Sequence, residues 1–169
     1  MVLTVIVWTA IVIAALFWNL KVEHEHAIEQ AVTEARAHFN KDKAFRLWGS
    51  SHGGVYVPVD AKTPPNSHLA HIPERDITTP SGKKLTLMNP AYMVRQMMDE
   101  YEGTFGVKGK ITSFPDKLFN QKNRPDSWEL AALHAFTQGK KEVSEVSEVN
   151  GVQFMRLMRP MFVSVKGRV

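Results

Sequence analysis

An uninterrupted apolar run at the N-terminus constrains this chain more than any other feature. Residues 2–20, with the sequence VLTVIVWTAIVIAALFWNL, carry no charged side chain. At the helical rise of 1.5 Å per residue this run spans about 28 Å, which matches the hydrocarbon core of a bilayer. Trp18 suits the interfacial region at its end. The run predicts a transmembrane anchor over residues 1–21, with the lipid bilayer as its partner through residues 2–20.

The flanks of this run favour an uncleaved anchor over a cleaved signal peptide. No basic residue precedes it, and Phe17 and Trp18 are bulky where a cleavage site requires small residues. Lys21 and Glu23 follow with opposite charges, so the charges alone do not define which side of the membrane the rest of the chain occupies.

The segment after the anchor has helical periodicity. Ile28, Val32, Ala35 and Phe39 are spaced to form one apolar stripe. The pair Gly53-Gly54 supplies the left-handed conformation common at helix ends. We therefore predict a stalk or N-terminal helix over residues 22–50, followed by a sensor domain over residues 51–169.

Two strands and a helix are predicted in the next part of the chain. The β-branched run 55–59 indicates a strand, and Pro58 places it at a sheet edge. Six of the nine prolines lie between residues 58 and 90, which predicts an ordered surface wrap. Residues 85–88 indicate a second strand, after which Asn89 and Pro90 have the types preferred at a helix start. A further strand is expected over residues 107–113.

The C-terminal part has two strong local signals. Residues 126–129, Asp-Ser-Trp-Glu, form a capping box that starts a helix ending at Gly139. Asn150-Gly151 is a hairpin turn between strands at 142–149 and 152–161. This element order predicts an α+β fold, with an antiparallel sheet flanked by helices.

Composition excludes several classes of function. The chain has no cysteine, which rules out disulfides, thiolate metal sites and thioether attachment of haem. Its 21 basic and 17 acidic residues are interspersed, so no nucleic-acid partner is expected. No catalytic triad, paired-carboxylate cleft or zinc spacing can be identified, so we predict neither an enzyme nor a metal site.

Three arginines and a histidine are the side chains with the clearest capacity to bind a ligand. His52 lies beside two glycines that permit close approach of a ligand or of a neighbouring strand, and the local chemistry favours the strand. Arg156 alternates with apolar residues on its strand and would need an anionic partner in a core, either from the protein itself or from a ligand. Arg95 and Arg159 are further candidates of this kind.

Four segments together resemble one known family. They are FRLWGSSHGGVYVPV at 45–59, TPPNSHLAHIPERDITTPSGKKLTLMNPAYMVRQ at 63–96, PDSWELAAL at 125–133 and FMRLMRPM at 154–161. They resemble the c-type haem family of extracytoplasmic sensor domains, PAS-like modules found in bacterial sensor histidine kinases and chemoreceptors. The resemblance covers most of residues 35–161. It implies a PAS-like antiparallel sheet, a ligand or haem pocket, and a location outside the cytoplasm.

The chain departs from that family after Met161. Haem-carrying members have a Cys-x-x-Cys-His segment and a closing strand shortly after this point, whereas this chain continues FVSVKGRV. We therefore expect a C-terminally truncated domain. No cofactor is assigned, because covalent haem is excluded and non-covalent haem remains an alternative. A missing strand would also expose a sheet edge, which favours either poor stability or pairing in a homodimer.

The sequence predicts a non-catalytic sensor domain for signal input, anchored in the bacterial cytoplasmic membrane as a single-pass protein with its soluble part on the periplasmic side. The expected partners are a small-molecule ligand or haem and a signalling protein. Two alternatives stay open: a redox or electron-transfer protein with non-covalent haem, and a truncated remnant of a c-type haem sensor. The predicted ligand-binding residues are His52, Tyr56, Arg95, Arg156 and Arg159.

Overall fold

A computed structural model of the chain describes residues 1–101, 106–118, 120–149 and 151–161. It combines helices with small antiparallel sheets, so the predicted α+β class is confirmed. The predicted C-terminal truncation concerns residues 162–169, which lie outside the described residues. The helices are α1 (Val2–Ser51), α2 (Pro90–Tyr101) and α3 (Ser127–Thr137), and the strands are β1 (Val55–Pro58), β2 (Asp76–Thr78), β3 (Lys84–Met88), β4 (Val143–Val149) and β5 (Val152–Met158).

The anchor and stalk sequences form one continuous helix, α1. Its first part is long and apolar enough to cross a membrane, and none of that apolar window is buried by the rest of the protein. An N-terminal signal sequence has the same properties. The stripe at positions 28, 32, 35 and 39 is half-buried, as its spacing predicted. Gly53 ends the helix with a φ of 75°, and the Gly54 N–H donates to the Gly49 carbonyl at 2.9 Å.

Three strands form a sheet in the order β1-β3-β2, all antiparallel. Strand β1 lies at the edge, as Pro58 predicted, with Pro58 opposite Leu85. The short strand β2 lies in the proline-rich wrap and was not predicted. Central β3 contributes three buried residues, Thr86, Leu87 and Met88, and the Thr86 hydroxyl donates to Asp76 Oδ1 of β2 at 2.6 Å.

Both short helices start with the predicted caps. Asn89 Oδ1 accepts from the Tyr92 N–H at 2.9 Å, and α2 begins at the next residue, Pro90. At α3 the Glu129 N–H donates to Asp126 Oδ1 and the Asp126 N–H donates to Glu129 Oε2, each at 2.8 Å. The capping box is therefore reciprocal, as its sequence pattern indicates.

The strand predicted over residues 107–113 does not form, and this prediction was wrong. Side chains hold the segment instead: Lys110 Nζ donates to the Arg124 carbonyl and Thr112 Oγ1 to the Asn123 carbonyl, both at 2.7 Å. In addition, Met98 packs where a Gly109 side chain would lie. These tertiary contacts override the strand propensity of the isolated segment.

The predicted hairpin is confirmed as an antiparallel pair, β4 with β5, in which Val149 lies opposite Val152. Gly151 has a φ of 80°, which the turn requires, whereas Asn150 lies outside the described residues. Strand β5 ends at Met158, three residues before the predicted end at Met161. Pro160 follows and lacks the N–H that a continuing ladder would need.

The chain divides into two compact units. The first comprises residues 1–38 and 135–160, and contains the apolar helix and the hairpin. The second comprises residues 39–134 and 161–169, and contains the three-stranded sheet with α2. The buried apolar residues of the described chain all belong to the second unit: Leu69, Leu87, Met88, Val94 and Ala132.

Candidate functional site

The five residues predicted to bind a ligand are distributed over both units. His52, Tyr56 and Arg95 belong to the second unit, and Arg156 and Arg159 to the first. Nothing in the structure tests their ligand-binding role, which stays a prediction. Their local surroundings nevertheless define what each side chain can do.

His52 lies on the turn that ends α1, with an exposed side chain. Its ring packs on Trp48, with 4.7 Å between the ring centroids. The His52 Nδ1 atom is 2.8 Å from the Trp48 carbonyl oxygen, which can only accept. Nδ1 therefore carries the proton in the neutral ring, and Nε2 is left as the basic nitrogen. A fixed tautomer of this kind is typical of metal-binding histidines.

Tyr56 connects the edge strand to the proline-rich wrap. Its hydroxyl donates to the Glu74 carbonyl at 2.5 Å, and 39% of the residue remains exposed. The hydrogen bond explains the orientation of the ring without a ligand. Tyr56 therefore holds the wrap against β1, and its exposed surface remains accessible.

Arg95 is half-buried on α2. Its guanidinium carbon lies 5.7 Å from the centroid of the Tyr92 ring, within range of a cation–π interaction. The guanidinium is thus oriented by an aromatic face of its own helix.

Acidic residues of the protein lie close to the arginines of the first unit. Glu142 accepts from Arg36 Nε at 3.1 Å and from Arg36 Nη2 at 2.7 Å, and Arg159 Nε lies 3.4 Å from Glu142 Oε2. The hydrogen bonds from Arg36 lower the pKa of Glu142. Arg156 lies opposite Glu145 in the β4–β5 register. For Arg159, a protein carboxylate supplies the anionic partner that the sequence left open.

A small hollow lies beside the end of α1 in the second unit. Its volume is about 80 Å³. That is room for two or three waters, whereas small-molecule pockets usually hold about 300 Å³ or more. Its lining comes from the end of α1, the wrap, β3 and the start of α2: Ser50, Gly53, Leu69, Ile72, Leu87, Asn89 and Pro90.

Sequence reasoning missed Arg46, a half-buried arginine on α1. Arg46 Nη1 lies 3.8 Å from Met161 Sδ, and burial lowers the pKa of Arg46. One signal could have identified it. Continuing the apolar stripe from Phe39 by helical spacing leads to Asp42 and Arg46, so two charged residues occupy positions expected to face inward.

Metal ligation finds no support in the described ranges, where no group of three or more histidine, aspartate or glutamate residues could hold an ion.

A family model described as Tll0287-like matches residues 24–166. Tll0287-like domains are c-type haem sensor domains, which agrees with the resemblance identified from the sequence. The match begins just after the apolar N-terminal run and covers most of the remaining chain. Comparison with curated proteins and with solved structures found no match.

Proposed function

The chain belongs to the Tll0287-like family, and on that premise we propose that it is a non-catalytic sensor domain for signal input, anchored in the bacterial cytoplasmic membrane with its soluble part on the periplasmic side. One observation carries the proposal: a sensor-family match over residues 24–166 directly follows a helix able to cross a membrane. A sensor outside the membrane needs such an attachment to pass its signal inward.

The proposal includes a PAS-like arrangement and a small-molecule ligand. Support for the arrangement comes from the small antiparallel sheets with helices on the same chain. Support for ligand binding comes from the family and from side chains that retain accessible polar groups, such as His52 and Tyr56. Because the chain has no cysteine, any bound haem would be held without thioether bonds.

Reporter fusions to the full chain test the anchoring and its orientation. Alkaline phosphatase fused after Val169 is expected to be active, since it folds only outside the cytoplasm, and green fluorescent protein at the same position is expected to be dark. Both fusions should remain in the membrane pellet after carbonate washing. If the green fluorescent protein fusion is fluorescent and the phosphatase fusion is inactive, the soluble part lies in the cytoplasm and the proposal is refuted. Release of the fusions into the carbonate supernatant would refute it as well.

The geometry of His52 favours one second candidate, non-covalent haem binding in electron transfer. Its Nδ1–H is fixed on the Trp48 carbonyl, and among the described residues no hydrogen bond engages Nε2. An exposed imidazole with its basic nitrogen outward is suited to axial ligation of haem iron.

A haemin titration of the full chain in nanodiscs tests this second candidate. If His52 is an axial ligand, a saturable shift of the Soret band is expected, and His52→Ala should weaken binding at least tenfold. The matched control is His24→Ala, which removes an exposed histidine of α1. A flat titration, or equal binding by both variants, would reject His52 as a ligand.

A further inference from the structure

The inward-facing stripe of α1 changes from apolar to charged near the end of the helix. The spacing that relates Val32, Ala35 and Phe39 continues to Asp42, Arg46 and buried Gly49. Asp42 and Arg46 are both half-buried. They lie in the same compact unit as Met161, so their surroundings belong to one body.

Arg46 lacks an anionic partner among the described residues. Its one hydrogen-bond contact there is Met161 Sδ at 3.8 Å, and a thioether is a weak acceptor. Burial lowers the pKa of Arg46, and no carboxylate of the described residues acts in the opposite direction. A partly desolvated guanidinium without an anion is costly, and a bound anion would offset that cost.

Asp42 is left with an unused acceptor one turn away. Its Oδ1 atom is buried and accepts no hydrogen bond in the described chain. Lys41 Nζ lies 3.5 Å from this atom, but the Lys41 side chain is 62% exposed and its charge is screened by water. Asp42 and Arg46 are related by i,i+4 spacing, yet they do not pair with each other.

We propose that Asp42 and Arg46 form a binding site for a small ligand that carries a carboxylate group. Arg46 binds the carboxylate, and Asp42 Oδ1 accepts from a donor on the same ligand. This inference rests on the proposed sensor function, because it names the chemistry of the ligand that the sensor would detect.

The charges of the two residues select among anions. Asp42 would repel a phosphate dianion more strongly than a singly charged carboxylate, and the ammonium group of a zwitterion would be attracted to Asp42. A zwitterion of the amino-acid type carries such a carboxylate together with an ammonium group that would donate to Asp42 Oδ1.

Isothermal titration of the full chain in nanodiscs tests this ligand chemistry. The probes are the amino acids, their des-amino carboxylates such as propionate for alanine, and inorganic phosphate. Binding of an amino acid but not of its des-amino counterpart supports the zwitterion. Binding of phosphate in preference to every carboxylate contradicts the proposal.

Variants separate ligand binding from a structural role. Arg46→Met should weaken binding of the active probe at least about thirtyfold, because a partly buried charge pair is lost. The same change should leave the melting temperature without ligand equal or higher, because it removes a partly buried charge that has no anionic partner among the described residues. Lys43→Gln removes an exposed charge of the same helix and should change neither quantity. If the Arg46→Met variant binds the active probe with wild-type affinity, the proposed site is wrong.

The outcome of these titrations is independent of the reporter fusions. If no carboxylate binds while the fusions show a periplasmic, membrane-bound domain, the carboxylate site is wrong and the anchored sensor survives. If a carboxylate binds but the fusions place the domain in the cytoplasm, the binding site is supported and the periplasmic sensor is wrong.

The Asp42→Asn variant tests the second residue of the site. It should reduce the preference for an amino acid over its des-amino counterpart.

Discussion

Replacing Gly54 by alanine is expected to lower the free energy of unfolding by about 3 kcal/mol or more. Gly54 has a φ of +105°, a conformation that residues with a side chain rarely adopt. An added Cβ would lie 2.8 Å from the Met88 carbonyl oxygen and 3.1 Å from Leu87 Cδ1. The carbonyl belongs to central strand β3 and cannot move without disturbing its ladder.

Gly53 provides the matched control for this prediction. It also has a positive φ, +75°, but an added Cβ would meet no atom within 4 Å. Gly53→Ala should therefore cost only about 1–2 kcal/mol, the conformational term alone. Urea unfolding of the full chain in detergent micelles, followed by tryptophan fluorescence, measures both variants. Equal losses at the two positions would show that the contact with β3 is unimportant.

The close packing at Gly54 also bears on the candidate site. Gly54 donates its N–H to Gly49, and an added Cβ at Gly49 would lie 3.2 Å from Pro90 Cγ. The end of α1 is thus held against β3 and the start of α2. This arrangement fixes the turn at the end of α1 that carries His52. His52 lies less than two helical turns beyond Arg46.

Elements set by contacts within a few residues could be predicted from the sequence. The cap at Asn89, the capping box at 126–129 and the turn at Gly151 each combine a residue type with a hydrogen bond or a φ value that only that type provides easily. The end of α1 at Gly53 is of the same kind. Such local chemistry does not depend on the rest of the fold.

Elements set by distant contacts could not be predicted. The segment 107–113 has strand-forming residues, but its course is fixed by Lys110 and Thr112 binding to carbonyls more than ten positions away. Strand β2 forms because β3 offers it an edge. Arg46 was missed for a related reason: its neighbour Met161 is 115 positions away. The periodicity of α1 indicates that Arg46 is partly buried, but it does not indicate that Arg46 lacks an anionic partner among the described residues.

Replacing Glu129 by alanine is the second change expected to have a large effect, a loss of about 2–4 kcal/mol in the free energy of unfolding. The Glu129 side chain is only 9% exposed. Its Oε2 atom accepts from the Asp126 N–H at 2.8 Å and from Lys110 Nζ at 2.7 Å. Alanine would break the capping box of α3 and leave the Lys110 ammonium without its carboxylate.

A double-mutant cycle with Lys110→Met separates the two contributions of Glu129. Because Lys110 is 38% exposed, the coupling between the two side chains should be about 1 kcal/mol, and the remaining loss should come from the cap and from burial. Glu148→Ala, at an exposed position of β4, should change stability by less than about 0.5 kcal/mol. If Glu129→Ala were equally mild, the contacts at Oε2 would not stabilise the second unit. A strong loss with no coupling would instead assign the whole effect to the helix cap.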